Sequence, residues 1–280
     1  MMPDAPRRIW LCADDYGLSP GVNRAIRELI ERGRLNATSV MVVGAAIGRD
    51  EVKALDAAAL LRPRCAIGLH ATLSAPFHPL TMHFKPLAGG MFPPFKKLLA
   101  AGLLRQLDPE IIHAEMLAQL AAFADLFGRG PDFVDGHQHV QLFPQVRDAF
   151  LSAVNQSAAS AWVRQGGSRQ SFVQLLHQPK ALLLDVLSRQ FRRSASRAGL
   201  KFNPSFAGAY DFSRRPDFDA LMADFLDRLP DGGVVMCHPG FVDESLFGLD
   251  PLTHQRKREY AFLASDKFPK LLAANNITLA

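Results

Sequence analysis

The sequence predicts an α/β fold, in which β-strands and α-helices alternate through a single domain of 280 residues. Short apolar runs rich in β-branched residues recur along the chain, and segments with helical periodicity separate them. Four of the apolar runs end in Asp or His, at Asp14, His70, His137 and His238. Because crossovers between consecutive parallel strands are right-handed, seven or eight such strands predict a mostly parallel sheet or a closed barrel.

The first half of the chain carries clear boundary signals. Ser19 and Pro20 predict the start of a helix with Pro in its first turn, and Gly33 predicts its end. The predicted elements here are a strand ending at Asp14, a helix over 20–32, a strand over 37–43, a helix over 50–61 and a strand ending at His70.

The second half continues the alternation after a long proline-rich stretch. The predicted elements are a helix over 108–127, a strand ending at His137, a helix from Pro144, a short strand over 161–164, helical segments over 168–199, a weak strand over 202–206, a helix over 216–229, a strand over 233–237, helices over 253–275 and a last strand over 277–279.

The stretch 71–102 interrupts this rhythm. It holds five prolines and four phenylalanines, and a long irregular loop in a compact domain is typically functional. Its aromatic content argues against disorder. The sequence therefore predicts a lid or pocket wall over the site, with a packed excursion over the barrel mouth as the alternative.

Composition narrows the class of protein. The net charge is +5, a mild excess for this length, so nucleic acid is not expected as a partner. No secretory signal sequence is recognisable at the start, and the apolar stretches are too short to span a bilayer. The three cysteines Cys12, Cys65 and Cys237 form no C-x-x-C pair and lie in predicted buried strands. We therefore expect a cytoplasmic protein with free thiols and no disulfide.

The strand ends carry the residues that chemistry requires. Asp14 and Asp15 follow the first strand, and histidines follow three later strands. Carboxylate and imidazole ligands suit Zn²⁺, and carboxylates with water suit Mg²⁺ or Mn²⁺. A site with three protein ligands leaves positions open for water and substrate, and a second carboxylate beside it can act as general base. These residues therefore predict one catalytic site for a divalent metal ion.

Two geometric expectations accompany this site. Adjacent residues on an extended strand point to opposite sides, so Asp14 and Asp15 share a site only if the backbone turns there, as Gly17 allows. His137 and His139 are two residues apart, so on a strand they would face the same side. This spacing favours at least one metal ligand between them.

Four motifs together resemble those of the YdjC-like carbohydrate deacetylases, also called the ChbG/HpnK family. They are Ala13-Asp14-Asp15-Tyr16-Gly17-Leu18-Ser19, Ile67-Gly68-Leu69-His70, Asp135-Gly136-His137-Gln138-His139 and Cys237-His238-Pro239-Gly240. The resemblance runs in order from Ile9 to Ser265, and the tail residues Arg256 and Glu259 share it. It implies a distorted (β/α) barrel and a metal-dependent hydrolase that removes the N-acetyl group from an acetylated amino sugar, such as a chitooligosaccharide or an N-acetylglucosaminyl glycolipid.

The same resemblance implies a role for each residue. Asp15, His70 and His137 would hold one divalent ion, Mg²⁺ or Zn²⁺. Asp14 would be the general base, and His238 would protonate the leaving amine or steady the oxyanion. Arg164, at a strand end, would contact the substrate. His139 would be a substrate contact, an outer partner of a ligand or an alternate ligand.

Other interpretations remain open at this point. One is a metal-dependent hydrolase of another class, amidohydrolase-like or phosphoester-cleaving, and another is a non-catalytic protein that binds sugar or metal. The basic amphipathic segment 182–201 allows peripheral contact with an anionic membrane, although a solvated outer helix is the simpler interpretation. Assembly into a homo-oligomer is left open.

Overall fold

A computed structural model of the protein describes residues 5–60, 65–82, 84, 87, 89–167, 179–212, 216–227 and 229–280. Strands and helices alternate along the described chain, as the sequence predicts. The strands are β1 (Arg7–Tyr16), β2 (Ala37–Val40), β3 (Ala66–Ala71), β4 (Phe133–Gly136), β5 (Trp162–Val163), β6 (Phe206–Ala207), β7 (Val234–Cys237) and β8 (Ile277–Leu279). The helices are α1 (Pro20–Glu31), α2 (Arg49–Ala59), α3 (Phe95–Leu103), α4 (Pro109–Phe127), α5 (Val146–Ser157), α6 (Pro179–Arg197), α7 (Phe218–Asp227), α8 (Glu244–Phe247), α9 (His254–Ala264) and α10 (Lys267–Ala274).

All the strand pairs are parallel. Seven strands form one curled sheet in the order β5-β4-β3-β2-β1-β7-β6, and β8 pairs with the beginning of β1. The two edges approach each other beyond β5 and before β6, where the Val163 amide donates to the Lys201 carbonyl at 2.9 Å and the Phe206 amide to the Gly167 carbonyl at 3.1 Å. The predicted distorted (β/α) barrel of seven or eight parallel strands in a single domain is confirmed.

The lumen of the barrel is layered. Side chains of alternate residues along a strand point inward, and the register places those of neighbouring strands at the same height. An apolar layer fills the bottom and middle, made of Cys12, Ala37, Ala66, Phe133, Phe206, Val234 and Met236, with the partly buried Trp10 and Trp162 packed against it. The next inward position of β1 above Cys12 is Asp14. The parallel register thus gives the lumen an apolar base and a polar top.

A larger apolar core lies between the outer face of the sheet and the helices. Its members include Leu11 and Ala13 of β1, the inner face of α1 at Val22 and Ile26, and Phe123 of α4. Cys12, Cys65 and Cys237 are free and buried, as predicted. None of the helices that the structure describes is both long enough and apolar enough to cross a lipid bilayer.

Several element boundaries differ from the sequence-based ones. β2 ends at Val40 rather than 43, because a turn follows in which the Gly44 amide donates to the Met41 carbonyl at 3.1 Å. α6 is described only from Pro179, so the earlier part of the predicted 168–199 helical region lies outside the described residues.

The described part of the stretch 71–102 packs against the barrel. Phe77, Phe84 and Phe92 are buried, and the rings of Phe84 and Phe92 meet edge to face at 4.9 Å. Glu115 of α4, itself fully buried, accepts hydrogen bonds from the amide and hydroxyl of Thr81 at 2.9 and 2.7 Å. These hydrogen bonds hold the described part of the stretch against α4. Its role as a lid remains a prediction.

Candidate active site

The polar top of the lumen is formed by the carboxyl ends of four strands. β1 contributes Asp14, β2 contributes Ser39, β3 contributes His70 and β4 contributes Asp135, and each of the four is at most 1% exposed. His70 and Asp135 are direct partners in the parallel register of β3 and β4. Residues that are far apart in sequence therefore meet at this end of the barrel.

The backbone does turn between the two aspartates. Asp15 adopts a left-handed conformation with φ of +69°, and Gly17 follows with φ of +95°. The Leu18 amide closes the turn by donating to the Asp15 carbonyl at 3.1 Å. This turn brings the Asp15 carboxylate to the lumen side that Asp14 already faces. A Cβ at position 17 would lie 2.8 Å from the Met41 carbonyl oxygen, so the turn requires glycine there.

Asp15, His70 and His137 converge on one point. Asp15 Oδ1 lies 3.3 Å from His70 Nε2 and 3.1 Å from His137 Nδ1, and the three candidate ligand atoms all lie within 4.8 Å of one another. His70 and Asp15 are buried, and the side chain of His137 is 12% exposed. A site with buried ligands and one accessible edge leaves room for water and substrate.

The residues present fit a divalent cation. His70 Nδ1 lies 2.6 Å from Asp135 Oδ1, which fixes the hydrogen on Nδ1 and turns the Nε2 lone pair toward Asp15. A lone pair facing a carboxylate oxygen requires a proton or a cation between them. Burial would lower the pKa of His70, but the carboxylates of Asp135 and Asp14 outweigh it and raise that pKa to about 10. The same negative potential favours a metal ion.

Asp14 stands beside this triad and is held by Arg164. The Arg164 guanidinium donates to both carboxylate oxygens, with both N–O distances 2.6 Å, and Ser39 Oγ lies 3.3 Å from Asp14 Oδ1. Burial opposes ionisation, but the charges of Arg164 and His70 hold the pKa of Asp14 well below its usual value. Asp14 is therefore an ionised carboxylate with a fixed orientation.

Arg164 directly follows β5, at a strand end as expected. It is 1% exposed, and its Nη1 also lies 3.0 Å from Asp135 Oδ2. The guanidinium thus joins Asp14 and Asp135 below the opening of the site. In this structure its contacts are to the carboxylates, and a direct contact of Arg164 with substrate remains a prediction.

His238 follows β7, which pairs with β1 on the side away from β2. Its backbone amide donates to Glu259 Oε2 at 2.5 Å, and its ring meets that of Phe212 edge to face at 5.5 Å. Tyr210 donates its hydroxyl to the other oxygen of Glu259. Within the described residues, His238 Nδ1 has no hydrogen-bond partner. The ring is therefore positioned through its backbone and one aromatic contact and keeps that nitrogen free.

His139 does not lie on a strand with His137, so the strand spacing that would turn both side chains to the same side does not apply here. β4 ends at Gly136, and a 3₁₀ segment over His137–Leu142 follows, in which Gln138 and His139 both have positive φ, at 54° and 59°. His139 packs edge to face on Phe206 at 5.5 Å. Burial and the charge of Arg164 lower its pKa to about 3, so its ring is neutral. Its role as a substrate contact remains a prediction.

Two further residues at the site were not assigned a role from the sequence. Asp135 accepts the hydrogen on His70 Nδ1 at 2.6 Å. Arg256 of α9, which is fully buried, donates to Asp15 Oδ2 at 2.6 Å and leaves Oδ1 toward the histidines. Asp135 lies two residues before His137 in the same motif, and this position could have identified it as a site residue. Arg256 comes from a distant helix, and its contact with Asp15 depends on packing that the sequence does not reveal.

Comparison with known proteins agrees with this geometry. The sequence model of the family described as "YdjC-like protein" matches residues 8–274. A chitooligosaccharide deacetylase of Citrobacter koseri is 33% identical over 237 residues, covering 82% of this chain and 81% of the relative. A carbohydrate deacetylase of Homo sapiens is 30% identical over 255 residues, covering 84% of this chain and 75% of the relative.

A solved structure shares the fold. It is that of a candidate cellobiose-phosphate cleavage protein from Enterococcus faecalis, with a TM-score of 0.77 at 19% identity, and the match covers 99% of this chain and 97% of that one. The family match spans nearly the whole chain and includes all four strand ends that build the site. By that match and by its relatives, the chain belongs to the YdjC-like protein family.

Proposed function

We propose that the chain is a metal-dependent hydrolase that removes the N-acetyl group from an acetylated amino sugar. The observation that carries the proposal is the meeting of Asp15 Oδ1, His70 Nε2 and His137 Nδ1 within 4.8 Å, beside a separate ionised carboxylate. Relatives that cover more than four fifths of the chain are named chitooligosaccharide and carbohydrate deacetylases. Their names support a glycan carrying N-acetylglucosamine as the substrate.

Asp15, His70 and His137 would hold one divalent ion, either Zn²⁺ or Mg²⁺. When bound, such an ion supplies Lewis-acid polarisation of the acetyl oxygen and lowers the pKa of a neighbouring water. Asp135 keeps His70 in the tautomer whose Nε2 is free to ligate, and Arg256 holds the outer oxygen of Asp15. Both contacts leave one ligand atom of each residue directed at the same point.

Asp14 would act as the general base. Its carboxylate is ionised and oriented by the two hydrogen bonds from Arg164, and it lies next to the triad through Ser39. Accepting the proton of the attacking water allows the oxygen to add to the acetyl carbon. Asp14 loses its negative charge when it takes up this proton. The guanidinium of Arg164 contacts both Asp14 and Asp135, so its positive charge would remain paired with Asp135.

His238 would act as the acid. An amide nitrogen is a poor leaving group until it is protonated, and a ring at the end of β7, which pairs with β1, can deliver that proton as the C–N bond breaks. Its free Nδ1 and its fixed backbone suit this role. The products are acetate and the free amine, and water supplies the atoms that balance the reaction.

A pair of equivalent substitutions one residue apart tests the assignment. Asp14→Asn should retain the metal and lose roughly 10²- to 10⁴-fold in acetate release, since only the base is removed. Asp15→Asn should lose the metal itself. Metal content is measured on the purified proteins by elemental analysis, and acetate release is measured on chitooligosaccharides and on N-acetylglucosaminyl lipids.

Asp50→Asn is a suitable control, because the Asp50 side chain is fully exposed on α2. It should match the unmodified protein in both measurements. If Asp14→Asn releases acetate at a near-normal rate, the base is misassigned. If the unmodified protein binds no divalent ion and releases phosphate rather than acetate from a substrate panel, the proposed function is wrong.

A further inference from the structure

Four arginines of α6 gather on the outer side of the barrel. Together with Ser196 and Phe202, they line a concave space of about 470 Å³. We call Arg189, Arg192, Arg193 and Arg197 the α6 arginine cluster. None of the residues that line this space belongs to the candidate active site. The cluster is therefore a separate feature that deacetylation does not use.

Arg192 is built into the wall of this space. Its Nη1 donates to Gln165 Oε1 at 2.9 Å, and Gln165 is itself fully buried and fixed by the Gly167 amide at 2.6 Å. A Cβ at position 167 would clash with Arg192 Nη1, so glycine makes the room for this guanidinium. The group that orients Arg192 is thus a neutral amide rather than a carboxylate.

The positive charge of the cluster exceeds its local compensation. Asp185 pairs with Arg189 at 2.8 Å. Among the described residues, no carboxylate lies within salt-bridge distance of Arg193 or Arg197, and the neighbouring sequence 168–178 contains no Asp or Glu. Burial and the charges of Arg189 and Arg193 lower the pKa of Arg192 despite the attraction of Asp185. Cations gathered on one surface create a positive potential that attracts an anion.

We propose that the α6 arginine cluster is a binding site for an anion that carries a phosphate group. Planar guanidinium groups donate paired hydrogen bonds that match phosphate oxygens. The space of about 470 Å³ lies within the usual range of small-ligand sites, roughly 300–1,000 Å³, and exceeds the size of a single phosphate. Phe202 adds an apolar wall for the remainder of the ligand.

Two sources can supply this chemistry, a soluble phosphate compound or a phospholipid headgroup. Leu183 and Val186 are 40% and 45% exposed, and helical periodicity places them on the same side of α6 as Arg193 and Arg197. A headgroup in a bilayer would bring acyl chains to these two side chains, whereas a soluble ligand has no use for them. The contribution of Leu183 and Val186 therefore distinguishes the two sources.

Two probes and a charge-matched control test the site. Binding of inorganic pyrophosphate is measured by calorimetry at low ionic strength, and co-sedimentation is measured with phosphatidylcholine vesicles with and without phosphatidic acid. The test variant is Arg193→Gln/Arg197→Gln. The control is Arg8→Gln/Arg49→Gln, which removes the same charge from side chains that are 72% and 75% exposed on β1 and α2. Circular dichroism melts check that all three proteins are equally folded.

We expect the unmodified protein and the control to bind one of the probes with one-to-one stoichiometry. The test variant should bind roughly a hundredfold more weakly, since two charge-assisted contacts are lost. A phospholipid headgroup is identified if the protein sediments with phosphatidic acid vesicles, binds no pyrophosphate, and sediments less as the variant Leu183→Gln/Val186→Gln. A soluble phosphate is identified if the protein binds pyrophosphate and the same variant binds it equally well. The proposal is overturned if neither probe binds, or if the test and control variants lose binding equally.

Discussion

Asp135 determines how His70 can act. The imidazole of His70 has two nitrogens, and the 2.6 Å contact of Nδ1 with Asp135 commits one of them to a hydrogen bond. The other nitrogen then faces Asp15. A carboxylate behind a metal-binding histidine fixes its tautomer and increases its basicity. The role of Asp135 is thus to prepare a ligand without being one.

Asp135→Asn should weaken metal binding by roughly 10- to 100-fold, because the amide no longer enforces the tautomer of His70. Affinity is measured by titrating Zn²⁺ into the metal-free protein in a calorimeter. Asp132→Asn is the control, since Asp132 lies three residues earlier and accepts a hydrogen bond from the Ile67 amide, away from His70. Equal affinities for Asp135→Asn and the unmodified protein would remove Asp135 from the site.

The limits of sequence reasoning are visible at single residues. Asp14, Asp15, His70, His137 and His238 were predictable because each follows an apolar run that reads as a strand. The structure brings Asp15, His70 and His137 to one point with Asp14 beside them, and His238 follows β7, which flanks β1 on the side away from β2. The direction of His139 was not predictable, because it depends on positive φ at two consecutive non-glycine residues. The partners of Arg164 were also hidden, because they depend on register between strands.

At the scale of elements, the loop after β7 is tied to the beginning of α1. Asp243 caps α8 by accepting the Leu246 amide at 3.0 Å, and its other oxygen accepts the Gly21 amide at 2.5 Å. Burial opposes ionisation, but the hydrogen bonds from Gly21, Ser245 and Leu246 hold the pKa of Asp243 below 3.8. This carboxylate thus fixes the loop that carries His238 against the helix that follows Asp15.

Asp243→Ala should lower the free energy of unfolding by about 1–2 kcal/mol at pH 7, since a cap and a link between elements are lost. Because the folded-state pKa is depressed, this stabilisation is present above the unfolded pKa of about 3.9 and is lost as the pH falls through the folded value. Urea denaturation at pH 7, 5 and 3 measures the difference between the two proteins.

The difference should be largest at pH 7 and smallest at pH 3. Glu244→Ala serves as the control, because Glu244 is the exposed neighbour in the same first turn and makes no contact with Gly21 among the described hydrogen bonds. A constant difference between Asp243→Ala and the unmodified protein across the three pH values would contradict the ionised cap.

At the same scale, element types were easier to predict than element ends. Alternating apolar runs and amphipathic helices identified the strands in the correct order and most of the helices. The helix α3 (Phe95–Leu103), inside the stretch that was predicted to be irregular, and the short helix α8 (Glu244–Phe247) were missed. The end of β2 at Val40 and the 3₁₀ segment after Gly136 were missed. β2 ends where the Gly44 amide closes a turn on the Met41 carbonyl, and the 3₁₀ segment contains positive φ at Gln138 and His139. The apolar periodicity of the sequence indicates neither feature.

At the scale of the molecule, the lumen is a packed interior. Phe133 stacks on Trp162 with ring centroids 4.6 Å apart, and Trp162 in turn approaches Trp10 at 6.1 Å. Gly68 of β3 makes room for this stack, since a Cβ there would lie 2.5–2.6 Å from three carbons of the Phe133 ring. The polar layer with His70 rests directly above this position on β3.

Gly68→Ala should destabilise the protein by about 1–3 kcal/mol, because the added methyl group overpacks the lumen. Phe133→Leu alone should also be destabilising, since it removes the stack on Trp162. The double variant should cost less than the sum, because the smaller Leu side chain accepts the methyl group. Urea denaturation of the four proteins measures this coupling, and strict additivity would show that the two positions do not meet.

The overall architecture was the most predictable level. Alternating strands and helices require a parallel sheet, and a parallel sheet brings all the carboxyl strand ends to one side. The site was therefore expected at the end of the barrel where the strands have their carboxyl ends. The order β5-β4-β3-β2-β1-β7-β6 and the placement of β8 beside the start of β1 needed the structure, because pairing between distant strands leaves no local signal.

The apolar base of the lumen limits the routes by which substrate and products can enter and leave the site. Phe133, Met236 and their neighbours fill the lumen beneath the aspartates. In the part of the chain that the structure describes, they block passage through the base of the barrel. If the chain is the proposed deacetylase, acetate would leave the site through the same opening by which the glycan enters. The two products would then be released in order, the larger deacetylated glycan first and acetate second.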